Sequence, residues 1–170
     1  MRPKLLDLFC CQGGAGTGYA EAGFDVVGVD IDPQPRYPFE FHQADAIEYA
    51  RAHGNEFDAI HASPPCQAHT NAQKIMANDH PDLIEPTREL LLELGKPFVI
   101  ENVPLAPLID PVELCGAMFG LETYRHRLFE TNWELTAPEH PAHVARTTKM
   151  GRPPNPGEYM HVVGNFSGVS

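Results

Sequence analysis

A thiol and a carboxylic acid are the residues best placed for chemistry. Cys66 sits in the stretch ASPPCQ (62–67) and Glu101 in IENV (100–103), and a strand-like apolar run leads into each. Pro64 and Pro65 fix φ and supply no N–H, so the turn holding Cys66 keeps its shape without ladder hydrogen bonds. A thiol held in this way can act as a nucleophile, and a carboxylic acid facing it can donate a proton to a substrate ring nitrogen. The plain alternative is a structural turn with a buried cysteine, a residue type usually found inside. Further on, Arg125 and Arg127 in TYRHRLFE (123–130) stand two apart, on one face of an extended segment. They suit a base carbonyl or a phosphate.

These residues need a scaffold, and the flanking pattern supplies one. KLLDLF (4–9) reads as a buried strand, followed by a turn with Gly13, Gly14, Gly16 and Gly18 and a short helix ending near Gly23. DVVGVD (25–30) is a second strand and FEFHQ (39–43) a third; residues 45–53 read as a helix stopped by Gly54. FDAIHA (57–62) is a fourth strand. Asp82, with Glu85 three residues on, opens a leucine-rich helix that Gly95 closes, and PFVIENV (97–103) is a fifth strand. Alternation of this kind predicts an α/β domain with a largely parallel sheet and helices on both faces. Ligands of such sheets bind beyond the carboxyl ends of the strands. That rule gathers the glycine turn, Asp30–Asp32, Asp45, Ser63–Gln67 and Glu101–Asn102 at one edge. Asp30 there suits the ribose hydroxyls of an adenosine-containing cofactor, although a helix cap or turn residue looks the same. The glycine turn alone fits a dinucleotide equally well.

The totals set limits. At 170 residues, 42% apolar and 21% charged, the chain is expected to be one soluble globular domain. No apolar run approaches the ~20 residues that span a bilayer, and the N-terminus lacks a signal-peptide pattern, so a cytoplasmic location is expected. A net charge of −11 argues against a broad, non-specific grip on nucleic acid. The charge is uneven, however: residues 1–124 hold seven cations against nineteen acids, residues 125–170 five against four. Arg146, Lys149 and Arg152 lie in an acid-free stretch, where contact with a polyanion is expected. Cys10, Cys11 and Cys115 read as packing thiols, and His140 and His143 as surface residues. The cysteines show no C-x-x-C spacing, and His61, Cys66 and His69 follow no common ligand pattern, so no metal is expected.

LDLFCCQGGAGTGYAEAGFDVVGVDID, ASPPCQ, IENV and YRHRLFE resemble, in order and spacing, motifs of the cytosine-C5 DNA methyltransferases. The resemblance covers about residues 4–131, and the chain looks like the compact versions found in bacteriophage genomes. It implies a Rossmann-like methyltransferase fold, S-adenosylmethionine as cofactor, S-adenosylhomocysteine as product, and DNA as partner. By resemblance, Phe9, Gly13, Gly14, Ala46 and Pro64 line the cofactor pocket. Asp30 holds the ribose, Ile31 packs on adenine and Asp45 faces its amino group. Cys66 is the nucleophile, Glu101 contacts the cytosine N3 and 4-amino group, and Arg127 the O2 edge with Arg125 behind it. Pro65, Gln67, Asn102, Arg146, Lys149 and Arg152 are expected on the DNA side.

The chain departs from the family pattern in places. The turn's first glycine falls on Cys11, and a usual glutamine falls on Thr123. Residues 1–133 are expected to form the catalytic and cofactor-binding domain. Residues 134–170, rich in proline and mildly basic, stand where a longer target-recognition region and a late cofactor motif are usual; HVVGNFSGVS (161–170) only echoes that motif. The missing parts are therefore expected from a second chain, or the protein is a catalytically impaired or truncated module that binds cofactor or DNA. The same chemistry on RNA or a nucleotide is a further alternative. A dinucleotide oxidoreductase leaves Pro-Cys-Gln and Glu-Asn-Val without a purpose.

Overall fold

The computed structural model of the chain describes residues 1–65, 82–148 and 152–160. Seven strands form one sheet in the order β3-β2-β1-β4-β5-β7-β6. They are β1 (Lys4–Leu8), β2 (Asp25–Asp30), β3 (Glu40–Gln43), β4 (Ala59–Ala62), β5 (Phe98–Asn102), β6 (Val112–Cys115) and β7 (His126–Thr131). The first five run parallel, and β7 enters antiparallel between β5 and β6. The order reverses between β1 and β4, so a crevice opens beyond their carboxyl ends. The expected Rossmann-like, largely parallel architecture is the one found.

Side-chain alternation divides the sheet into two faces. Leu6 and Leu8 of β1 point to one face, where they join Val29, Ile60, Ala62, Phe98 and Ile100 in the main core. Two helices cover that core, α2 (Ala46–His53) through Ala46 and Ala50, and α3 (Ile84–Leu94) through Leu90 and Leu91. Helix α1 (Gly14–Glu21) lies on the opposite face, over β1 and β2. A side chain at Gly16 would come within 2.9 Å of the Asp7 carboxylate, so only glycine lets α1 approach this closely. Asp82, expected to cap α3, stands one residue ahead of its N-cap Leu83 and accepts the Ile84 N–H at 3.0 Å, while Glu85 pairs with Arg88. Asp45 Oδ1 accepts the N–H groups of Ile47 and Glu48 at 2.9 Å, capping α2. Gly95, with φ 64°, closes α3 by donating its N–H to the Leu91 and Leu92 carbonyls.

The β6–β7 pair is the part that the strand pattern did not announce. Its charged residues conceal it. Glu130 of β7 is buried because Arg88 of α3 grips it through two bonds, Nε–Oε1 at 2.6 Å and a second guanidinium nitrogen–Oε2 at 2.9 Å. The Ile109 N–H also donates to Glu130, at 2.8 Å. A buried ion pair satisfied in this way reads in the sequence as two surface charges. The segment after Trp133 folds back on the start of β7. Met160 donates its N–H to the Glu122 carbonyl at 2.7 Å, and Thr147 bridges to Tyr159.

Candidate active site

Backbone strain gathers where β1 ends. Phe9 (φ 55°) and Cys11 (φ 47°) are both left-handed without being glycine, and Gly13 follows at φ 84°. Each non-glycine residue in that region costs on the order of 1–3 kcal/mol and persists only where its surroundings impose it. Cys11 occupies the position where the family resemblance leads one to expect glycine, and its φ explains that expectation. Asp30 imposes the turn: its Oδ2 accepts the Cys11 N–H at 2.9 Å and its Oδ1 the Asp32 N–H at 3.0 Å. The carboxylate is only 8% exposed at the end of β2, beside Ile31, which is 67% exposed. With about four acceptor positions, a carboxylate that receives two amides can still receive hydroxyls. Burial pushes the Cys10 thiol pKa well above its usual range, which leaves it a protonated packing group.

Beyond β4 and β5 lies a continuous polar chain. Arg127 Nε is 2.9 Å from Glu101 Oε1. Ser63 Oγ donates to Glu101 Oε2 at 2.9 Å, His61 Nε2 lies 2.9 Å from Ser63 Oγ, and the Tyr19 hydroxyl lies 3.1 Å from His61 Nδ1. Burial lowers the His61 pKa to about 4, so the imidazole is neutral near pH 7. The proton positions then follow. Ser63 spends its hydrogen on Glu101, so it must accept from His61 Nε2–H, and His61 Nδ1 accepts from Tyr19. Burial also raises the Tyr19 pKa to about 12, which keeps that hydroxyl a donor. Glu101 is thus fixed from both sides, by a guanidinium and by a neutral relay.

The structure revises several expectations. Asn102 is 3% exposed. Its amide nitrogen donates to the Pro64 carbonyl at 3.1 Å, and its amide oxygen accepts the Val103 N–H at 2.9 Å. In place of a direct substrate contact, it ties the start of the Pro64-Pro65 turn to the end of β5. Ala46 turns its methyl into the core, so only its backbone at the first turn of α2 can face a ligand. Arg152 is not a bare cation, because Glu158 Oε2 lies 2.7 Å from its guanidinium. Arg146 is exposed and Arg127 half-buried; Arg125 is half-buried just ahead of β7. Pro64 is buried and Pro65 half-buried. Cys66, Gln67 and Lys149 lie outside the described residues, as do His69 and residues 161–170.

Some residues gain a role that no sequence pattern suggested. His61 lies in β4, Ser63 directly after it and Tyr19 in α1; the packing of α1 on the sheet and the pairing of β4 with β5 bring them into line with Glu101. Cys115, His140 and His143, read as isolated packing and surface residues, converge with His126 into one cluster. A pair of histidines three apart, 140 and 143, is the only trace of this in the sequence. On the α1 face, Leu5, Tyr19, Phe24, Val99, Phe129 and Trp133 line an apolar groove of about 480 Å³. Among the described residues, no helix is long and apolar enough to cross a membrane.

Comparison with known proteins agrees with this architecture. A curated relative, the type II methyltransferase M.AquIA of Picosynechococcus, is 31% identical over 122 residues, 61% of this chain and 49% of the relative. The chain therefore spans about half the length of the curated relative it matches. Among solved structures, the S. pombe Dnmt2 methyltransferase superposes with a TM-score of 0.55 at 16% identity, over 80% of this chain and 52% of that one. No family model matches the chain. The fold is that of the Rossmann-like methyltransferases.

Proposed function

We propose that this chain carries the catalytic and cofactor-binding part of a DNA (cytosine-5)-methyltransferase, which moves a methyl group from S-adenosylmethionine to C5 of a flipped cytosine. The observation that carries the reading is the fixed pair of Glu101 on β5 and Arg127 on β7, with β5 beside the strand whose following turn leads to Cys66. The relative at 31% identity is a type II methyltransferase, which favours a DNA substrate.

The crevice suits the cofactor in its own chemistry. Asp30 offers acceptor positions to a ribose, exposed Ile31 offers an apolar surface to adenine, and the strained turn at residues 9–13 brings backbone close. Asp45 Oδ2, the oxygen not used to cap α2, is the one to meet the adenine amino group. S-adenosylmethionine, when bound, supplies an electrophilic methyl group on a sulfonium.

The protein's own residues do the rest. The Cys66 thiolate adds to cytosine C6, forming a C–S bond and pushing the C5=C6 electrons into the ring. A proton passed to N3 by way of Glu101, with Arg127 at the O2 edge, keeps the electron density available at C5. After C5 has taken the methyl, loss of the C5 proton to a base restores the double bond and expels the thiolate. The cytosine must first leave the duplex, because stacking hides C6. Ser63 and Arg127 hold Glu101 in place throughout. They do for this acid what a positioned second group does for any catalytic acid.

The apolar groove on the α1 face is a place for a covering element. Methyl transfer from labelled S-adenosylmethionine to DNA tests the reading. Cys66→Ser should abolish transfer while leaving cofactor affinity nearly unchanged. Retained turnover in that variant would overturn the covalent route, and transfer to RNA or a free nucleotide in place of DNA would overturn the substrate.

A further inference from the structure

Far from the Asp30 crevice in chemistry, four soft donors converge at the outer edge of the sheet. Cys115 ends β6 and His126 begins β7, directly opposite each other in antiparallel register, so their side chains share one face. His140 and His143 arrive from the segment that folds back after Trp133. Cys115 Sγ lies 3.6 Å from His143 Nε2, and His126 Nε2 lies 3.1 Å from His140 Nε2. All four donor atoms fall within 4.8 Å of one another. Zinc bonds of ~2.3 Å to sulfur and ~2.05 Å to nitrogen, at tetrahedral angles, put S and N about 3.6 Å apart and two nitrogens about 3.3 Å apart. The 3.6 and 3.1 Å spacings are close to those of ligands around one ion, and the 4.8 Å limit on the rest needs only small side-chain adjustments.

The surroundings orient the donors inward. His126 Nδ1 is 3.0 Å from the Tyr124 carbonyl. A proton on Nδ1 donates there and leaves the Nε2 lone pair facing the cluster, the usual support for a metal-bound imidazole. His143 stacks on Tyr124 with ring centres 3.8 Å apart, and the Tyr124 hydroxyl accepts the Ala145 N–H at 2.9 Å. Tyr124 therefore clamps the 140–145 segment against the hairpin. One thiolate with three imidazoles and no carboxylate is a borderline-soft set that suits zinc rather than magnesium or calcium.

We propose that Cys115, His126, His140 and His143 form a tetrahedral zinc site that fastens the segment after Trp133 to the β6–β7 hairpin. All four positions come from the protein, so the ion has a structural and not a catalytic role. The proposal is independent of the methyl-transfer reading. His126 lies between Arg125 and Arg127, so the ion also steadies the strand that presents the arginines. Without an ion, the same contacts would be only an S–H···N bond and stacked rings.

The test uses the full chain without a histidine tag. After loading with Zn²⁺ and dialysis, elemental analysis should find stoichiometric zinc in the wild type. A His140→Ala/His143→Ala double variant should retain at least about tenfold less. Co²⁺ in place of zinc should give the strong visible bands of a four-coordinate ion and a thiolate charge-transfer band that Cys115→Ser removes. Chelation should speed proteolysis within residues 134–148 of the wild type but leave the double variant unchanged. The two histidines are exposed, so their replacement tests the site even if Cys115→Ser disturbs the hairpin. Equal zinc retention in the wild type and the double variant would overturn the proposal, as would a wild type that keeps no zinc.

Discussion

Asp30 does two jobs with one carboxylate. It holds the strained Cys11 amide in place, and in the function proposed above it also receives the ribose. Asp30→Ala should therefore weaken binding of S-adenosylhomocysteine by more than one lost hydroxyl contact, because the turn relaxes as well. A loss of roughly 1.5–3 kcal/mol is expected from hydrogen bonds to a charged group alone. Calorimetric titration of wild type and variant measures it, and equal affinities would remove Asp30 from the site. At this scale the strand-end positions of Asp30 and Glu101 were legible from the apolar runs that precede them. The relay was not legible, because Tyr19 meets His61, and Ser63 meets Glu101, only through packing between elements that no local pattern encodes. Asn102 misled for the opposite reason: a polar residue beside Glu101 looks like a ligand contact until its burial and backbone partners are known.

Two titrating side chains face each other across neighbouring elements. Asp7 of β1 pairs in register with His61 of β4, on the face under α1. Burial raises the Asp7 pKa from 3.8 to about 7, although the Tyr37 hydroxyl donates to it at 3.1 Å. The folded state thus keeps a proton on Asp7 that the unfolded chain has released, and on this account stability falls as pH rises from about 4 to about 7. His61 works the other way. Its folded pKa of about 4 lies below the ordinary value of 6.5, so stability is lost as pH falls through that interval. The two slopes offset each other between about pH 4 and pH 6.5. Asp7→Asn should expose the histidine slope alone. Thermal melting of the variant should then rise with pH across that interval, while the wild type stays nearly level. Parallel pH profiles for the two proteins would contradict the pairing. The parallel strands and α3 were legible from apolar runs, caps and Gly95. The β6–β7 pair was not, because Arg88 and Glu130 disguise a buried strand as charged surface.

For the whole molecule, charge is the constraint on how DNA is held. The net charge is −11, and Glu158 already neutralises Arg152, so few cations remain for phosphate contacts. At ~0.9 per neutralised phosphate, two to four contacts give a log–log salt slope of only about −2 to −3.5. Fluorescence anisotropy on a labelled duplex across a salt series measures this, and a much steeper slope would contradict so small a set of phosphate contacts. The central claim is narrower than DNA binding, and one measurement reaches it most directly. An oligonucleotide carrying 5-fluorocytosine cannot lose a C5 proton, so a Cys66–C6 adduct formed on it stays trapped. In the presence of S-adenosylmethionine, the wild-type chain, with a partner chain where one is required, should form a complex that survives denaturing electrophoresis, and Cys66→Ser should form none. A trapped complex of equal yield from the Cys66→Ser variant would contradict the account.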